Sequence, residues 1–204
     1  VKHEPLPIYA IPTTAGTGSE GTGGAVVKDA ATLQKSVISG PGLLPKLTAL
    51  DPALMLGLPP HITAATGMDA LTHAIEAYIG VWERGNRLAD GRAAVKLVFQ
   101  HLPTAFRDGG NVEAREGMAL AAYYGGMAIN QVNVGSVHAI AHQVGGRYGI
   151  PHGLANALIL PHVLEYCREE AENRLAELAV LSGAGEEGEP AAQLSHKFSA
   201  AVRD

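Results

Sequence analysis

Two pairs of potential metal ligands, each spaced four residues apart, constrain the fold of this chain most strongly. Asp69 and His73 lie within TGMDALTHAIEAY, and His138 and His142 lie within VHAIAHQVGG. Both stretches are apolar at helical spacing, so each pair is predicted to project from one face of a helix, about one turn apart. An ionised carboxylate inside an apolar helix is costly unless it is paired or bound to a metal. The sequence therefore predicts a polar site between packed helices.

His152, in IPHGLANALILP, completes a set of ligands that suits a divalent transition metal. It follows Pro151, whose fixed backbone favours the start of a new helix and so presents the imidazole at a defined angle. Three imidazoles and one carboxylate are typical ligands of Fe²⁺ or Zn²⁺. The predicted metal ligands are Asp69, His73, His138 and His152.

His142 is a fifth candidate for a set of four ligands. Because imidazole titrates near neutral pH, we predict that His142 supports the ligands or transfers a proton, and it is the predicted catalytic residue. Taken singly, Asp69 would more often be a structural carboxylate and His138 a hydrogen-bonded histidine of the core, and a structural role also stays open for His142. Their shared spacing favours the metal site.

The composition limits the other classes of function. At 204 residues and 47% hydrophobic content, the chain can bury a core and form one or two domains. The net charge of −5 and the 17% of charged residues give no indication of a surface that binds nucleic acid. Its single cysteine excludes an internal disulfide and fits a reducing compartment. It has no uncharged apolar run of the roughly 18 residues that a membrane span needs, and no signal-peptide pattern. We expect a cytoplasmic protein with no nucleic-acid or membrane partner.

The periodicity of the chain changes near Pro59. Residues 1–58 are rich in Gly, Thr and Pro and contain four short apolar runs that predict strands, at 8–11, 24–27, 36–39 and 47–50. The later residues have apolar stripes at helical spacing, which predict helices over 61–80, 88–106, 112–130, 135–149, 153–183 and 190–202. A polar loop is predicted over 183–190, and the segment WERGNRLAD (82–90) is expected to join two helices and to border an entrance. The predicted domains are 1–58 and 59–204.

The segment PTTAGTGSE (12–20) ends the first predicted strand in a loop rich in Thr and Gly. Glycines let a backbone approach a ligand closely, and Thr hydroxyls and free N–H groups bind phosphate or ribose oxygens. The segment is neither a Walker A loop nor a GxGxxG fingerprint. From its residues alone, a simple turn and a nucleotide contact both remain open.

Five segments together resemble the iron-containing (group III) alcohol dehydrogenase family. They are IPTTAGTGSE, LDPALMLGLPP, ATGMDALTHAIEAY, VHAIAHQVGG and IPHGLANALILPHV, which occur in the order of the family between about residues 8 and 166. The resemblance implies an α/β remnant of a Rossmann-like nucleotide domain, followed by an all-helical metal-binding domain of the dehydroquinate synthase-like fold. It implies the same four metal ligands and places His142 near the nicotinamide.

The resemblance also implies contacts to a nicotinamide cofactor, NAD or NADP. By resemblance to the family, the cofactor contacts are expected to be Thr13, Thr14, Thr17, Lys35 and Leu54. Gly16, Ser19 and Thr22 of the same loop region are added to this prediction. Members of the family normally carry a long further segment before this loop, with a GGGS-type pyrophosphate loop. The chain is therefore expected to be a fragment that lacks the N-terminal part of the nucleotide-binding domain. The residue that helps to choose between NAD and NADP lies in that part, so the choice stays open.

The function implied is that of a metal-dependent, NAD(P)-linked alcohol dehydrogenase or aldehyde reductase. Hydride would pass between the nicotinamide and a small alcohol or aldehyde, with Fe²⁺ as the metal and Zn²⁺ or Mn²⁺ as alternatives. A homodimer is expected from the family. Two other interpretations stay open: a glycerol dehydrogenase-like or dehydroquinate synthase-like metal enzyme, and a truncated metal-binding domain without catalytic activity.

Overall fold

A computed structural model describes residues 5–32, 34–81, 87–130 and 132–204 of the chain. Within these ranges the α-helices are α1 (Pro60–Ile79), α2 (Arg87–Arg107), α3 (Val112–Ile129), α4 (Ser136–Tyr148), α5 (His152–Tyr166), α6 (Glu172–Ser182) and α7 (Ala191–Arg203). The strands are β1 (Tyr9–Ala10), β2 (Gly24–Lys28), β3 (Lys35–Ser39) and β4 (Leu47–Thr48). Short 3₁₀ helices span Ser19–Gly21, Pro41–Leu43 and Pro52–Met55. Most of the entrance predicted at 82–90, residues 82–86, lies outside the described residues.

All four predicted strands are confirmed, and they form two separate pairs. Strands β1 and β4 are parallel, with Tyr9 opposite Leu47, and a long connection lies between them. Strands β2 and β3 form an antiparallel hairpin, in which Gly24 lies opposite Ser39 and Lys28 opposite Lys35. A parallel pair is typical of an α/β domain, because parallel strands need a crossover connection. The sequence did not predict which strands pair.

Helix α1 lies at the centre of the helical part of the chain. It packs against α2, α3 and α5 and also contacts α4 and α6. Pro59 and Pro60 start the helix, since proline fits the first turn, where its missing N–H is not needed. Every residue from 69 to 78 is buried, so this part of α1 lies in the core on all of its sides. The packed position of α1 therefore gives the polar residues that it carries a fixed geometry.

One predicted element is wrong: residues 153–183 form two helices rather than one. Helix α5 ends at Tyr166, and turns lead to α6, which begins at Glu172. The break lies in the polar stretch CREEA (167–171), which forms turns. Because the chain turns there, α5 packs against α1, α4 and α7 while α6 packs against α2 and α7. The predicted loop at 183–190 is confirmed as a series of turns and bends.

Across the described parts of the chain, we find no helix both long and apolar enough to span a membrane. The proposed boundary between residues 58 and 59 stays a prediction.

Candidate metal centre

Three helices bring the four predicted ligands together. Asp69 and His73 lie one turn apart on α1, His138 lies in the first turn of α4, and His152 is the first residue of α5. Asp69, His73 and His138 each offer an atom that lies within 4.8 Å of the other two. The Oδ1 atom of Asp69 is 3.8 Å from His73 Nε2, 3.4 Å from His138 Nε2 and 3.4 Å from His152 Nε2.

Three of these four side chains are buried. Asp69 is 4% exposed, His73 5% and His138 1%, whereas His152 lies partly open to the surface. The ring of His73 stacks on that of His138 with centroids 4.5 Å apart. Polar groups buried in this way need compensation, because their desolvation is costly.

The amide of Asn156 reaches the same point from α5. Its Nδ2 donates to Asp69 Oδ1 at 2.7 Å and lies 3.1 Å from His138 Nε2 and 3.4 Å from His152 Nε2. One amide group has only two protons, so it cannot satisfy the carboxylate and every imidazole nitrogen that converge here. Convergent nitrogen and carboxylate donors in a buried site are the ligands that a divalent transition metal prefers. The donor set therefore fits such an ion.

The protonation states of Asp69 and His73 are also compatible with binding of a metal cation. Burial opposes ionisation of Asp69, but the adjacent imidazoles of His73, His138 and His152 hold the pKa of its carboxyl well below the ordinary value. Burial lowers the pKa of the His73 imidazole to about 4. At neutral pH the first group is thus a carboxylate and the second a neutral imidazole, which are the forms that bind metals.

Glu76 belongs to the site but was missed by the sequence analysis. Its Oε2 lies 2.7 Å from His138 Nδ1 and accepts the backbone N–H of Gly135 at 2.8 Å, and its Oε1 accepts that of Val137 at 2.6 Å. Burial lowers the pKa of His138, but Asp69 and Glu76 outweigh burial and raise it to about 9. Glu76 follows Asp69 by two helical turns in the same apolar stretch, and that spacing was the available signal.

His142 lies beside the four predicted ligands but is not one of the side chains that converge on Asp69. Its ring stacks on His152 with centroids 5.2 Å apart and meets His138 edge-on at 5.9 Å. Burial, followed by the charges of His152, His138 and Lys35, lowers the pKa of His142 to about 4. The sequence interpretation assumed titration near neutral pH, whereas the structure keeps this imidazole neutral there. A neutral imidazole is able to accept a proton.

A cavity of about 560 Å³ opens beside the ligands. This volume falls within the range of small-molecule sites, roughly 300–1,000 Å³. Asp69, His73, His138, His142 and His152 all line it. Strands β2 and β3 and the loop before α4 form the facing wall. Four of the predicted cofactor contacts also line the cavity: Thr17, Ser19, Thr22 and Lys35.

The other four predicted cofactor contacts lie away from the described wall of the cavity. Gly16 packs on α1, where an added Cβ would come within 2.6 Å of Thr66 Cβ. Leu54 lies in a 3₁₀ helix and is 49% exposed. Thr13 is exposed and Thr14 half-buried. A cofactor contact for these four residues stays a prediction.

The loop that carries Thr17 and Ser19 is held on α3. Gly18 has φ 58°, and a Cβ there would lie 2.6 Å from the Cα of Gly126. The Gly23 N–H donates to Asn130 Oδ1 at 2.8 Å at the end of α3. Glycine is required at position 18 because it tolerates a left-handed backbone and leaves room for the helix. Asn130 was not predicted, and its position after an apolar helix gave no signal.

Two family models match the chain. Residues 63–203 match the "Fe-containing alcohol dehydrogenase family, C-terminal", and residues 1–52 match "Iron-containing alcohol dehydrogenase". The chain therefore belongs to the iron-containing alcohol dehydrogenase family. This finding confirms the family predicted from the sequence.

Individual relatives agree with the family models. The chain is 45% identical over 198 residues to 1,3-propanediol dehydrogenase of Klebsiella pneumoniae, covering 96% of this chain and 51% of the relative. It is 43% identical over 178 residues to the NAD-dependent methanol dehydrogenase of Bacillus methanolicus, covering 87% and 47%. The crystal structure of a 1,3-propanediol oxidoreductase superposes with a TM-score of 0.94 at 44% identity, covering 98% of this chain and 53% of the other.

These matches confirm the predicted fold class, a small α/β remnant followed by a helical metal-binding domain. The chain spans about half the length of the curated relatives it matches.

Proposed function

We propose that this chain carries the metal site and one wall of the cofactor site of a metal-dependent, NAD(P)-linked alcohol dehydrogenase or aldehyde reductase. The observation that carries the proposal is the convergence of Asp69, His73, His138 and His152 on one side of a cavity large enough for a substrate and a nicotinamide ring. The proposed metal is Fe²⁺, with Zn²⁺ and Mn²⁺ as alternatives. Family membership and the names of the relatives support this chemistry.

The buried ligands hold the Asp69 carboxylate and the neutral His73 imidazole in place before a substrate enters. A metal bound there would supply Lewis acidity to the oxygen of an alcohol or aldehyde. The packing of α1, α4 and α5 keeps the side chains that surround that oxygen from moving as the reaction proceeds. This arrangement supports alcohol and aldehyde substrates of small size.

The opposite wall would hold the cofactor. The hydroxyls of Thr17 and Ser19 and the ammonium group of Lys35 face the cavity and are able to bind ribose or phosphate oxygens. A nicotinamide bound there would supply the hydride. Neutral His142, between the metal ligands and this wall, would accept the proton that leaves the alcohol.

Two further features of the whole protein belong to this proposal. A cytoplasmic location is supported by the single cysteine, which fits a reducing compartment. A homodimer is supported by the family resemblance, and light scattering of the purified protein tests it directly. A molecular mass of one chain at working concentration would reject the dimer.

The first experiment is metal analysis of anaerobically purified protein, combined with oxidation of NADH and NADPH in the presence of short aldehydes. We expect one tightly bound Fe or Zn per chain together with turnover. Bound metal without turnover would support the alternative of a metal-binding domain without catalysis. Absence of any metal would refute the assigned ligands.

A further inference from the structure

We propose that Glu76 is the positioning residue of the metal site and acts through His138. The inference rests on the proposed metal-binding function, and it concerns a residue that does not itself reach the converging ligand atoms. Glu76 is 6% exposed and lies on α1, the helix that also carries Asp69 and His73. It thus connects two ligands on α1 with a third on α4.

The hydrogen bonds of Glu76 fix the orientation of the His138 ring. The carboxylate oxygen Oε2 lies 2.7 Å from Nδ1, so the ring donates Nδ1–H and directs Nε2 towards Asp69 Oδ1, 3.4 Å away. A metal-binding imidazole commonly donates its other ring N–H to a carboxylate, which sets the tautomer and the ring angle. Rotation of the ring about its Cβ–Cγ bond would break this contact and turn Nε2 away.

The Glu76 carboxylate is itself fixed by the start of α4. It accepts the backbone N–H groups of Gly135 and Val137, which flank the first residue of that helix. N–H groups at a helix start have no partner within the helix, and an anion stabilises them. A displaced carboxylate would leave two donors unpaired, the N–H of buried Val137 and that of half-buried Gly135.

Gly135 leaves the space that the carboxylate occupies. A Cβ at this position would lie 2.8 Å from Glu76 Oε1 and 3.1 Å from its Cδ. The substitution Gly135→Ala would therefore displace the carboxylate while its negative charge remains. This variant separates the position of Glu76 from its charge.

The test is a Co²⁺ titration of metal-free protein, followed by the visible absorption of the bound ion in competition with a chelator. We expect Glu76→Gln to raise the Kd for Co²⁺ roughly 10- to 100-fold, the effect of losing such an outer partner. A glutamine offers one acceptor atom, so at least one of the three donors that the carboxylate serves loses its partner. Gly135→Ala is expected to raise the Kd in the same direction. Glu177→Gln is the matched control, because Glu177 lies on α6 next to Tyr78 and Arg92, away from the ligands.

A double-mutant cycle with His138→Ala shows whether Glu76 acts through His138. In the His138→Ala background, we expect Glu76→Gln to change the Kd less than twofold. The titration extends to Co²⁺ concentrations that saturate the His138→Ala protein. An unchanged Kd in Glu76→Gln alone, or an equal loss in both backgrounds, overturns the proposal. If Glu76→Gln does not fold by circular dichroism, Gly135→Ala decides alone: a Kd equal to that of the wild type refutes the positioning role. Failure of the wild-type protein to bind Co²⁺ would instead refute the metal-binding function.

Discussion

The two walls of the cavity are built differently, and the difference separates metal binding from cofactor binding. On the helical wall, Asp69, His73 and His138 are at most 5% exposed and come from helices that pack on one another. On the hairpin wall, every residue of β2 is exposed, and Val37 of β3 is 63% exposed. Burial thus holds the ligands in position before a metal binds. The exposed side chains of the hairpin have few neighbours that would hold them.

This contrast has an energetic consequence. A change on the helical wall leaves buried polar groups without partners, which costs much more than the loss of a contact at the surface. A change on the hairpin wall mainly removes an interaction with a bound cofactor. We therefore expect variants of the helical wall to lose metal and variants of the hairpin wall to keep it.

The largest effect is expected for His73→Ala on the helical wall. Loss of a buried imidazole removes one ligand, and it should weaken metal binding by more than the roughly 10- to 100-fold effect of an outer partner. Metal content per chain and the Kd from chelator competition measure this. His61→Ala, at an exposed position near the start of α1, is the matched control. If His73→Ala retained one metal per chain with an unchanged Kd, the expectation that variants of the helical wall lose metal would be rejected.

His142→Ala tests the residue that lies between the two walls. We expect turnover to fall roughly 10²-fold, the usual contribution of a positioned acid or base, while bound metal stays at the wild-type level. Steady-state oxidation of NADH and metal analysis of the same sample give both values. His162→Ala, at an exposed position of α5, serves as control. Full activity in His142→Ala would reject its proton-transfer role.

A smaller effect is expected for Lys35→Ala on the hairpin wall. Lys35 lines the cavity and is half-buried. Loss of one such contact costs about 1 kcal/mol, so the KM for the nicotinamide cofactor should rise roughly fivefold with bound metal unchanged. Lys46→Ala, an exposed lysine outside the cavity lining, is the control. Loss of metal in Lys35→Ala would show that the two walls are coupled.

The sequence predicted the residues of the helical wall well because polar residues inside apolar helices are unusual and easy to recognise. Polar residues such as Asp69 and His138 are costly inside apolar helices, so their common spacing points to a shared ligand. Glu76 is likewise a polar residue inside an apolar helix but was missed, since no second ligand-type residue lies four positions from it. Its role depends on the start of α4, which lies far along the chain, and periodicity within α1 contains no information on that contact.

The hairpin wall was predicted less completely for a different reason. The four strands were found, but the pairing of β2 with β3 is a tertiary property. A local signal was present, because Asp29 accepts the N–H groups of Ala31 and Thr32 and so stabilises the turn between these strands. The break between α5 and α6 had no Gly or Pro to mark it, only the polar run at 167–171. The chain turns there so that α5 packs mainly on α1 and α4 and α6 mainly on α7, which is a tertiary property.

The smallest effect concerns Glu20, a buried carboxylate in the loop that leads to the hairpin. It is 4% exposed, and its Oε1 has no hydrogen-bond partner. Burial raises the pKa of its carboxyl above the ordinary value of 4.5, so the folded protein binds a proton more readily than the unfolded chain. The folded state therefore loses stability as pH rises from about 4.5 through the raised pKa.

Glu20→Gln removes this cost, because a neutral amide replaces the ionised carboxylate. We expect a higher midpoint of thermal unfolding than in the wild type at pH 7.5. The difference should shrink as the pH falls through the raised pKa and disappear below 4.5, where the wild-type carboxyl becomes protonated in both states. Glu187→Gln, at an exposed loop position, should show no such pH-dependent gain. A Glu20→Gln midpoint below that of the wild type at pH 7.5 would mean that the carboxylate is stabilised in the folded protein. The loop side of the cavity would then depend on buried charge in the same way as the helical wall.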